Sequence, residues 1–288
     1  MVSQMLLCWE DHLVLTAIIN TDICSRAHDL QIGLPKLPKA GTDLHFGVIR
    51  AWLDDCDTTH STPVCKPPKN AMLRANACVR PPTRLINVGR DGDDVVKLQE
   101  VPNGDTGDWI ALSYRWGYSP PFSTTRQNLV SHMIGMKLTA LPHTFQDAVK
   151  VTRALGREYL WIDSICIIQG EDGDFNSESK RMEDVYSGAY CVLAASCATD
   201  QRSGFLLPRK EREFVTLSST KRGDGGKIYV CSKTEDFRGH VLLGALHKRG
   251  WVLQEHALAR RTVFFTEHQT YWECGHGVRC ESMVKLRK

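Results

Sequence analysis

From residue 108 onward, short apolar runs alternate with segments whose apolar residues recur at helical spacing, and this alternation strongly constrains the fold. The segments read strand, helix, strand, helix, strand at residues 109–112, 142–156, 159–162, 182–189 and 191–195. Short runs that are apolar throughout are typical of strands buried on both faces. The series predicts right-handed crossovers and a doubly wound, mostly parallel α/β sheet with helices on both faces.

Less regular segments flank and interrupt this pattern. Residues 1–45 show little periodicity, which predicts an N-terminal extension ahead of a folded part at 46–288. Turn-forming residues and short apolar pieces at 46–105 predict strands and loops ahead of the main sheet. Residues 198–247 include the Gly-rich stretch KRGDGGK and predict an insertion with its own hairpin.

Two helical patterns carry further detail. After the insertion, Trp251, Glu255 and Leu258 share one face of a predicted helix, which a further apolar strand follows. In the first helix of the series, Thr144 and Asp147 are spaced like a helix cap and its partner. This spacing predicts that Thr144 and Asp147 close the start of their own helix.

Composition excludes several classes of protein. The 36 Lys and Arg against 33 Asp and Glu give a formal charge of only +3, without the basic stripe of a nucleic-acid binder. Eleven cysteines among 288 residues are too few for a disulfide scaffold, so we expect reduced thiols and a cytoplasmic location. The apolar run at 13–19 follows the acidic residues Glu10 and Asp11, whereas a signal peptide has a basic segment at that place. No run approaches the roughly 20 apolar residues of a membrane span. We therefore expect neither nucleic acid nor membrane as a partner.

Three separated stretches carry a family pattern. They are WIALSYRWG at 109–117, LPHTFQDAVKVTRALGREYLWIDSICIIQ at 141–169 continuing to MEDVYSGAYCVLAAS at 182–196, and RGWVLQEHALARRTVFFTEHQTYWECG at 249–275. In this order and spacing they resemble the fungal heterokaryon-incompatibility (HET) domain, and the stretches at 52–65 and 81–88 resemble its usual lead-in. Residue 168 is Ile where that family usually has Asp, so one loop carboxylate of the pattern is missing.

The resemblance implies a cytoplasmic module that triggers programmed cell death when incompatible fungal cells fuse. It also implies a distant relation to Toll/interleukin-1 receptor (TIR) domains of innate immunity, which have a flavodoxin-like doubly wound fold. Self-association and other death-signalling proteins are the partners implied.

Several TIR domains cleave NAD+ with a glutamate four residues after a tryptophan, in a W-C-x-x-E pattern. Trp251 and Glu255 reproduce that spacing, with Val252 in place of the cysteine. The resemblance implies that Glu255 cleaves the nicotinamide–ribose bond, with NAD+ as a substrate and no cofactor required. The alternative is a non-enzymatic module that oligomerises and recruits partners.

Polar residues follow the first two strands of the predicted sheet. Ser113, Arg115 and Trp116 come after the first strand and Asp163 after the second, where doubly wound folds bind ligands. Arg115 suits a diphosphate and Trp116 suits stacking on a base. Asp163 suits either a ligand hydroxyl or the capping of a following turn.

Glu255 lies where most helices place an apolar residue, so its carboxylate is expected to be partly desolvated. Facing the positive charge that develops on a ribose would explain such a position. An ion pair with Arg249, Arg260 or Arg261 would explain it equally well. The sequence leaves both explanations open.

Two groups of Cys and His residues are candidate metal ligands. The first has the spacing C-x3-H-x4-C at Cys56, His60 and Cys65, and the second comprises Cys274, His276 and Cys280. Structural zinc sites prefer four ligands with closely spaced cysteine pairs, which neither group offers. The sequence therefore favours buried thiols without metal, with zinc as the alternative.

Overall fold

The computed structural model describes residues 5–7, 37–60, 64–65, 80–101, 107–118, 120–209, 211, 214–218, 227–231, 236–282 and 285–286. Most of the extension predicted at 1–45, and part of the insertion predicted at 198–247, lie outside these residues. The domain boundaries therefore stay predictions.

The described residues form the following strands and helices. The strands are β1 Met5–Leu7, β2 Arg84–Asn87, β3 Val95–Glu100, β4 Trp109–Ser113, β5 Thr124–Thr125, β6 Met136–Lys137, β7 Tyr159–Trp161, β8 Ile168–Gln169, β9 Cys191–Ala194, β10 Phe214–Ser218, β11 Lys227–Cys231, β12 Arg261–Phe265, β13 Thr270–Cys274, β14 Gly277–Cys280 and β15 Lys285–Leu286. The α-helices are α1 Asp43–Thr59, α2 Leu129–Ile134, α3 His143–Ala154, α4 Asp163–Cys166, α5 Phe175–Glu178, α6 Met182–Gly188 and α7 Gly250–Leu258. Shorter helical turns lie at Leu138–Ala140, Ser179–Arg181 and Arg238–Leu242.

A ten-stranded mixed sheet organises the fold, in the order β15-β14-β13-β12-β9-β4-β7-β2-β3-β6. Its centre is parallel, because β12 pairs with β9, β9 with β4, and β4 with β7 in parallel register. Antiparallel strands extend the sheet on both sides. The three strands predicted near 110, 160 and 192 are therefore confirmed as parallel neighbours in an α/β fold.

Burial explains why the parallel strands read as continuous apolar runs. Every residue of β4, β9 and β12 is buried. Among the helices, α1 packs against α3 and α6 packs against α7. A main core gathers residues from many elements, and a smaller cluster joins residues of α7 and of β9, β12, β13 and β14.

The prediction of strands and loops at the start of the folded part was wrong for α1. Phe46, Ile49, Leu53 and Cys56 recur at helical spacing and are buried, and the Thr42 side chain caps the helix. Polar residues between them, such as Arg50 and Asp54, lie on the exposed side of the helix. Downstream, β2 and β3 are strands of the main sheet itself, whereas the sequence predicted separate strands ahead of it.

The predicted cap of α3 is also wrong. The helix begins after Pro142 without a side-chain cap. Thr144 Oγ1 donates to the carbonyl of Asp200 at 2.9 Å, and Asp147 Oδ2 accepts from the backbone N–H of Phe205 at 2.7 Å. Both side chains hold the segment that follows β9, a contact that no local pattern encodes.

The segment predicted as an insertion contains the expected hairpin. β10 and β11 pair antiparallel, and β1 adds to β11 to give a separate three-stranded sheet. Among the described helices, none combines the length and the apolar character that crossing a bilayer requires.

Candidate functional site

The candidate site lies where β4 ends, in the middle of the parallel strands. β7 lies on one side of β4, and β9 and β12 lie on the other. Ser113 is the last residue of β4, and Asp163 begins α4 directly after β7. α7 brings Glu255 to the same place, so residues far apart in the chain meet at one edge of the sheet.

Glu255 and Ser113 are in direct contact. Ser113 Oγ donates to Glu255 Oε2 at 2.5 Å, and the glutamate is only 7% exposed. The pKa of Glu255 is raised to about 7, chiefly because burial penalises the charged form; the Ser113 hydrogen bond opposes the shift, and the Asp163 charge adds to it. At neutral pH, Glu255 therefore divides between its charged and neutral forms.

Asp163 contacts the loop after β4. Trp116 Nε1 donates to Asp163 Oδ2 at 2.8 Å, and the Ser164 backbone N–H donates to Oδ1 at 2.7 Å. Desolvation raises the pKa of Asp163, and its hydrogen bonds oppose the shift. Asp163 is the first residue of α4, which begins after Ile162 without a side-chain cap, so the capping role that the sequence left open for Asp163 is not observed.

A glycine shapes the loop that carries Arg115 and Trp116. Gly117 has φ +80°, and a Cβ there would lie 2.5 Å from Asp200 Cβ. The close approach brings Arg115 beside the segment after β9, where its Nε donates to the carbonyl of Ala198 at 2.9 Å. Both Arg115 and Trp116 stay partly exposed at this edge.

Two tyrosines complete the surroundings of the carboxylates and were not predicted from the sequence. The Tyr114 hydroxyl donates to Ser164 Oγ at 3.0 Å, and Tyr186 contacts Glu255 from α6. Both are buried, and desolvation raises the pKa of each well above its ordinary value. Tyr186 shares the apolar face of its helix, so its pattern indicated only a core residue.

The ion-pair explanation of Glu255 fails for the three arginines considered. Arg249 donates to the carbonyl of Tyr114, Arg260 to the carbonyl of Ser187 at 2.7 Å, and Arg261 pairs with Asp57. Within the described part of the chain, no ion pair joins Glu255 to any of them. Arg249 is near enough to lower the pKa of Glu255, but burial outweighs that effect.

The remaining predicted site residue is Trp251. Its backbone lies in α7, one turn before Glu255, and its side chain lies outside the described part of the structure. Two open clefts, of about 520 Å³ around Phe122 and about 340 Å³ around Lys150, lie elsewhere on the surface. Glu255 lines neither of them.

The candidate metal ligands regroup in three dimensions. Cys56, His60 and Cys65 meet Cys274 from the second group. Cys280 instead has its Sγ 3.1 Å from Ser282 Oγ.

Fold and site together define an α/β protein with a buried, hydroxyl-linked carboxylate at the carboxyl edge of its parallel strands. The family model described as Heterokaryon incompatibility protein (HET) matches residues 109–255, from the start of β4 to Glu255 itself. The chain belongs to the heterokaryon incompatibility protein family. No curated protein and no solved structure matches it. Membership of this family implies a general role in heterokaryon incompatibility and cell-death signalling.

Proposed function

We propose that this chain is a cell-death signalling domain that cleaves NAD+ at the nicotinamide–ribose bond, with Glu255 as its catalytic carboxylate. One observation carries the proposal. Glu255 is buried, accepts a hydrogen bond from a serine hydroxyl, forms no ion pair within the described residues, and has its pKa raised to about 7. A carboxylate whose pKa is raised by burial in this way is typical of functional sites.

The strand order supports a flavodoxin-like, doubly wound fold related to TIR domains. Taken in chain order, β4, β7, β9 and β12 are arranged 2-1-3-4 across the sheet. In folds of that order, ligands bind between the first and third strands, at their carboxyl ends. That position lies between β4 and β9, where Ser113 meets Glu255.

The reaction fits one carboxylate. The bond between the ribose carbon and the nicotinamide nitrogen breaks, and its electron pair stays on the nitrogen, so neutral nicotinamide leaves. Positive charge builds on the ribose, where the charged Glu255 stabilises it and accepts hydrogen bonds from ribose hydroxyls. Water then adds to the ribose carbon and releases a proton. Ser113 acts as a positioning residue through its hydrogen bond to Glu255.

The neighbouring residues suit the rest of the substrate. Arg115 lies partly exposed in the loop after β4 and would bind the diphosphate. Trp116, tied through its ring nitrogen to Asp163, would present its face to a base, with Trp251 as a further contact. Asp163 would bind a ribose hydroxyl or keep the loop in place.

Self-association is the proposed trigger. α2 leaves Val130 and Ile134 exposed, and Val95 of β3 beside it is also exposed. This apolar edge suits a second copy of the chain or another death-signalling protein. No disulfide joins the cysteines whose side chains are described, which suits a cytoplasmic location.

The test is nicotinamide release from NAD+ by the full chain, measured at rising protein concentration and with a crowding agent. We expect release that increases with concentration, and a loss of about 100–1000-fold in Glu255→Ala, the usual effect of removing one well-placed electrostatic group. The matched control is Glu183→Ala, an exposed glutamate on α6. Melting temperatures of the three proteins separate lost chemistry from unfolding.

Two outcomes would overturn the enzymatic proposal. A folded Glu255→Ala protein that releases nicotinamide like the wild type would remove Glu255 from the reaction. A wild type that self-associates but never releases nicotinamide would favour the non-enzymatic interaction module.

A further inference from the structure

Four buried side chains from three separate parts of the chain converge at one end of α1. They are Cys56, His60, Cys65 and Cys274, and their ligand atoms all lie within 4.8 Å of one another. His60 Nδ1 lies 3.2 Å from Cys56 Sγ and 3.7 Å from Cys274 Sγ. We propose that these residues bind a structural zinc ion as a Cys3His site.

The backbone brings the four ligands together from different elements. Cys56 and His60 are four residues apart at the end of α1 and so point to the same side. Cys274 ends β13, and Cys65 lies beside it. At Gly275 a Cβ would overlap the Val64 side chain, so glycine lets the segment with Cys65 approach β13.

The geometry suits zinc. With Zn–S bonds of about 2.3 Å and Zn–N bonds of about 2.0–2.1 Å, tetrahedral ligand atoms lie roughly 3.5–4 Å apart. The two distances from His60 Nδ1, 3.2 and 3.7 Å, are close to that spacing. Three sulfurs and one imidazole nitrogen close the coordination shell, which is typical of a structural zinc and leaves no position for a substrate.

The surroundings suit the charge of such a site. Three thiolates around Zn²⁺ carry a net charge of −1. Two cations lie next to it, because Arg260 Nη1 and Arg261 Nη2 donate to the Cys65 carbonyl at 3.2 and 2.9 Å. The His276 backbone N–H points at Cys274 Sγ, 3.5 Å away. Such outer contacts orient ligands and stabilise thiolates.

A second histidine supports the orientation of His60. The rings of His60 and His276 are stacked, with centroids 3.8 Å apart and planes 17° apart. Stacking fixes the plane of the His60 imidazole and therefore the direction of its Nδ1. His276 thus acts as a support for the site, in place of the ligand role that the sequence offered it.

The proposed ion would join the two flanks of the family region. Three ligands precede residues 109–255 and Cys274 follows them. Zinc would therefore hold α1 and the segment at 64–65 against β13, independently of any reaction at Glu255. A buried four-ligand site of this kind contributes directly to folding.

The first experiment is metal analysis of the full-length chain, produced with zinc supplied and dialysed without chelator. We expect about one zinc per chain. Cys274→Ser should lose it, and the control Cys280→Ser, a buried cysteine outside the cluster, should keep it. Equal zinc in both variants, or no stoichiometric zinc in the wild type, would overturn the proposal.

A second measurement does not depend on the variants folding. Cobalt substituted into the wild type should give the thiolate charge-transfer band in the near ultraviolet and the intense visible bands of tetrahedral cobalt. A chelator should release the metal and lower the melting temperature. A weak, octahedral cobalt spectrum, or a disulfide among these cysteines found by thiol titration and mass measurement of the native protein, would also overturn the proposal.

Discussion

Two buried glutamates in this protein have different hydrogen-bond and charge partners. Glu281 is fully buried, and the Arg209 guanidinium binds both of its oxygens while the Thr270 backbone N–H donates to one of them. Glu255 is almost as buried, but its described contacts are the hydroxyls of Ser113 and Tyr186.

The difference lies in how the desolvation of each carboxylate is offset. A guanidinium and a backbone amide offset the desolvation of Glu281, so its charge costs the fold little. Glu255 lies near the Asp163 carboxylate, and its hydrogen bonds and the Arg249 charge offset the cost of burial only in part, so its pKa is raised to about 7. Sites that perform chemistry commonly retain such a cost in stability.

The largest expected effect concerns the paired glutamate. Arg209→Ala leaves the Glu281 charge buried without its cation, and we expect the free energy of unfolding to fall by about 3–5 kcal/mol. Urea unfolding measures the change. The control is Arg202→Ala, an exposed arginine in the preceding loop, which should change stability by less than about 1 kcal/mol.

A double variant sharpens that result. Glu281→Gln added to Arg209→Ala removes the stranded charge and should recover part of the lost stability. If Arg209→Ala alone costs no more than its control, Glu281 is not held in the way described, and its contrast with Glu255 disappears.

The next effect has the opposite sign and depends on pH. The pKa of Glu255 is about 7 in the folded protein, against an ordinary 4.5, so the folded state binds this proton more tightly than the unfolded chain does. The contribution of Glu255 to stability is therefore full below pH 4.5 and is lost as the pH rises to about 7. Above that pH the accumulated loss is up to about 3 kcal/mol.

Glu255→Gln removes this titration. We expect the variant to be more stable than the wild type at pH 8, with a difference that shrinks toward pH 5. Chemical unfolding at both pH values measures it, and Glu183→Gln should show no such pH-dependent gain. If the stability of Glu255→Gln minus that of the wild type is lower at pH 8 than at pH 5, Glu255 is ion-paired in the folded protein.

The smallest effect concerns the hydroxyl that holds Glu255. The hydrogen bond from Ser113 lowers the pKa of Glu255, so Ser113→Ala should raise that pKa and move the rise of NAD+ cleavage to higher pH. At pH 7 we expect about a tenfold loss of nicotinamide release, because a hydrogen bond to a charged group contributes about 1.5 kcal/mol or more. The exposed Ser177→Ala serves as control. An unchanged pH profile would show that Ser113 does not position Glu255.

Local periodicity was enough to predict the central part of the molecule. The runs that became β4, β7 and β9, and the helical faces of α3 and α6, repeat at the spacing of the structures they form. Placing Ser113 and Asp163 at strand ends followed from that pattern, as did bringing them to one edge of the sheet. The same local reasoning missed α1, whose short apolar face is interrupted by acidic and threonine residues.

Contacts between distant segments could not be predicted in this way. Thr144 binds the segment after β9 in place of its own helix, Glu255 lacks the arginine partner that its sequence neighbours offered, and Cys274 joins Cys56 across most of the chain. The physical reason is that closing a long loop costs little more than closing a short one, so separation along the chain carries little information about contact. Which side chains meet depends on how the strands and helices pack. That packing buried Glu255 beside Ser113 and brought Cys274 to Cys56, His60 and Cys65.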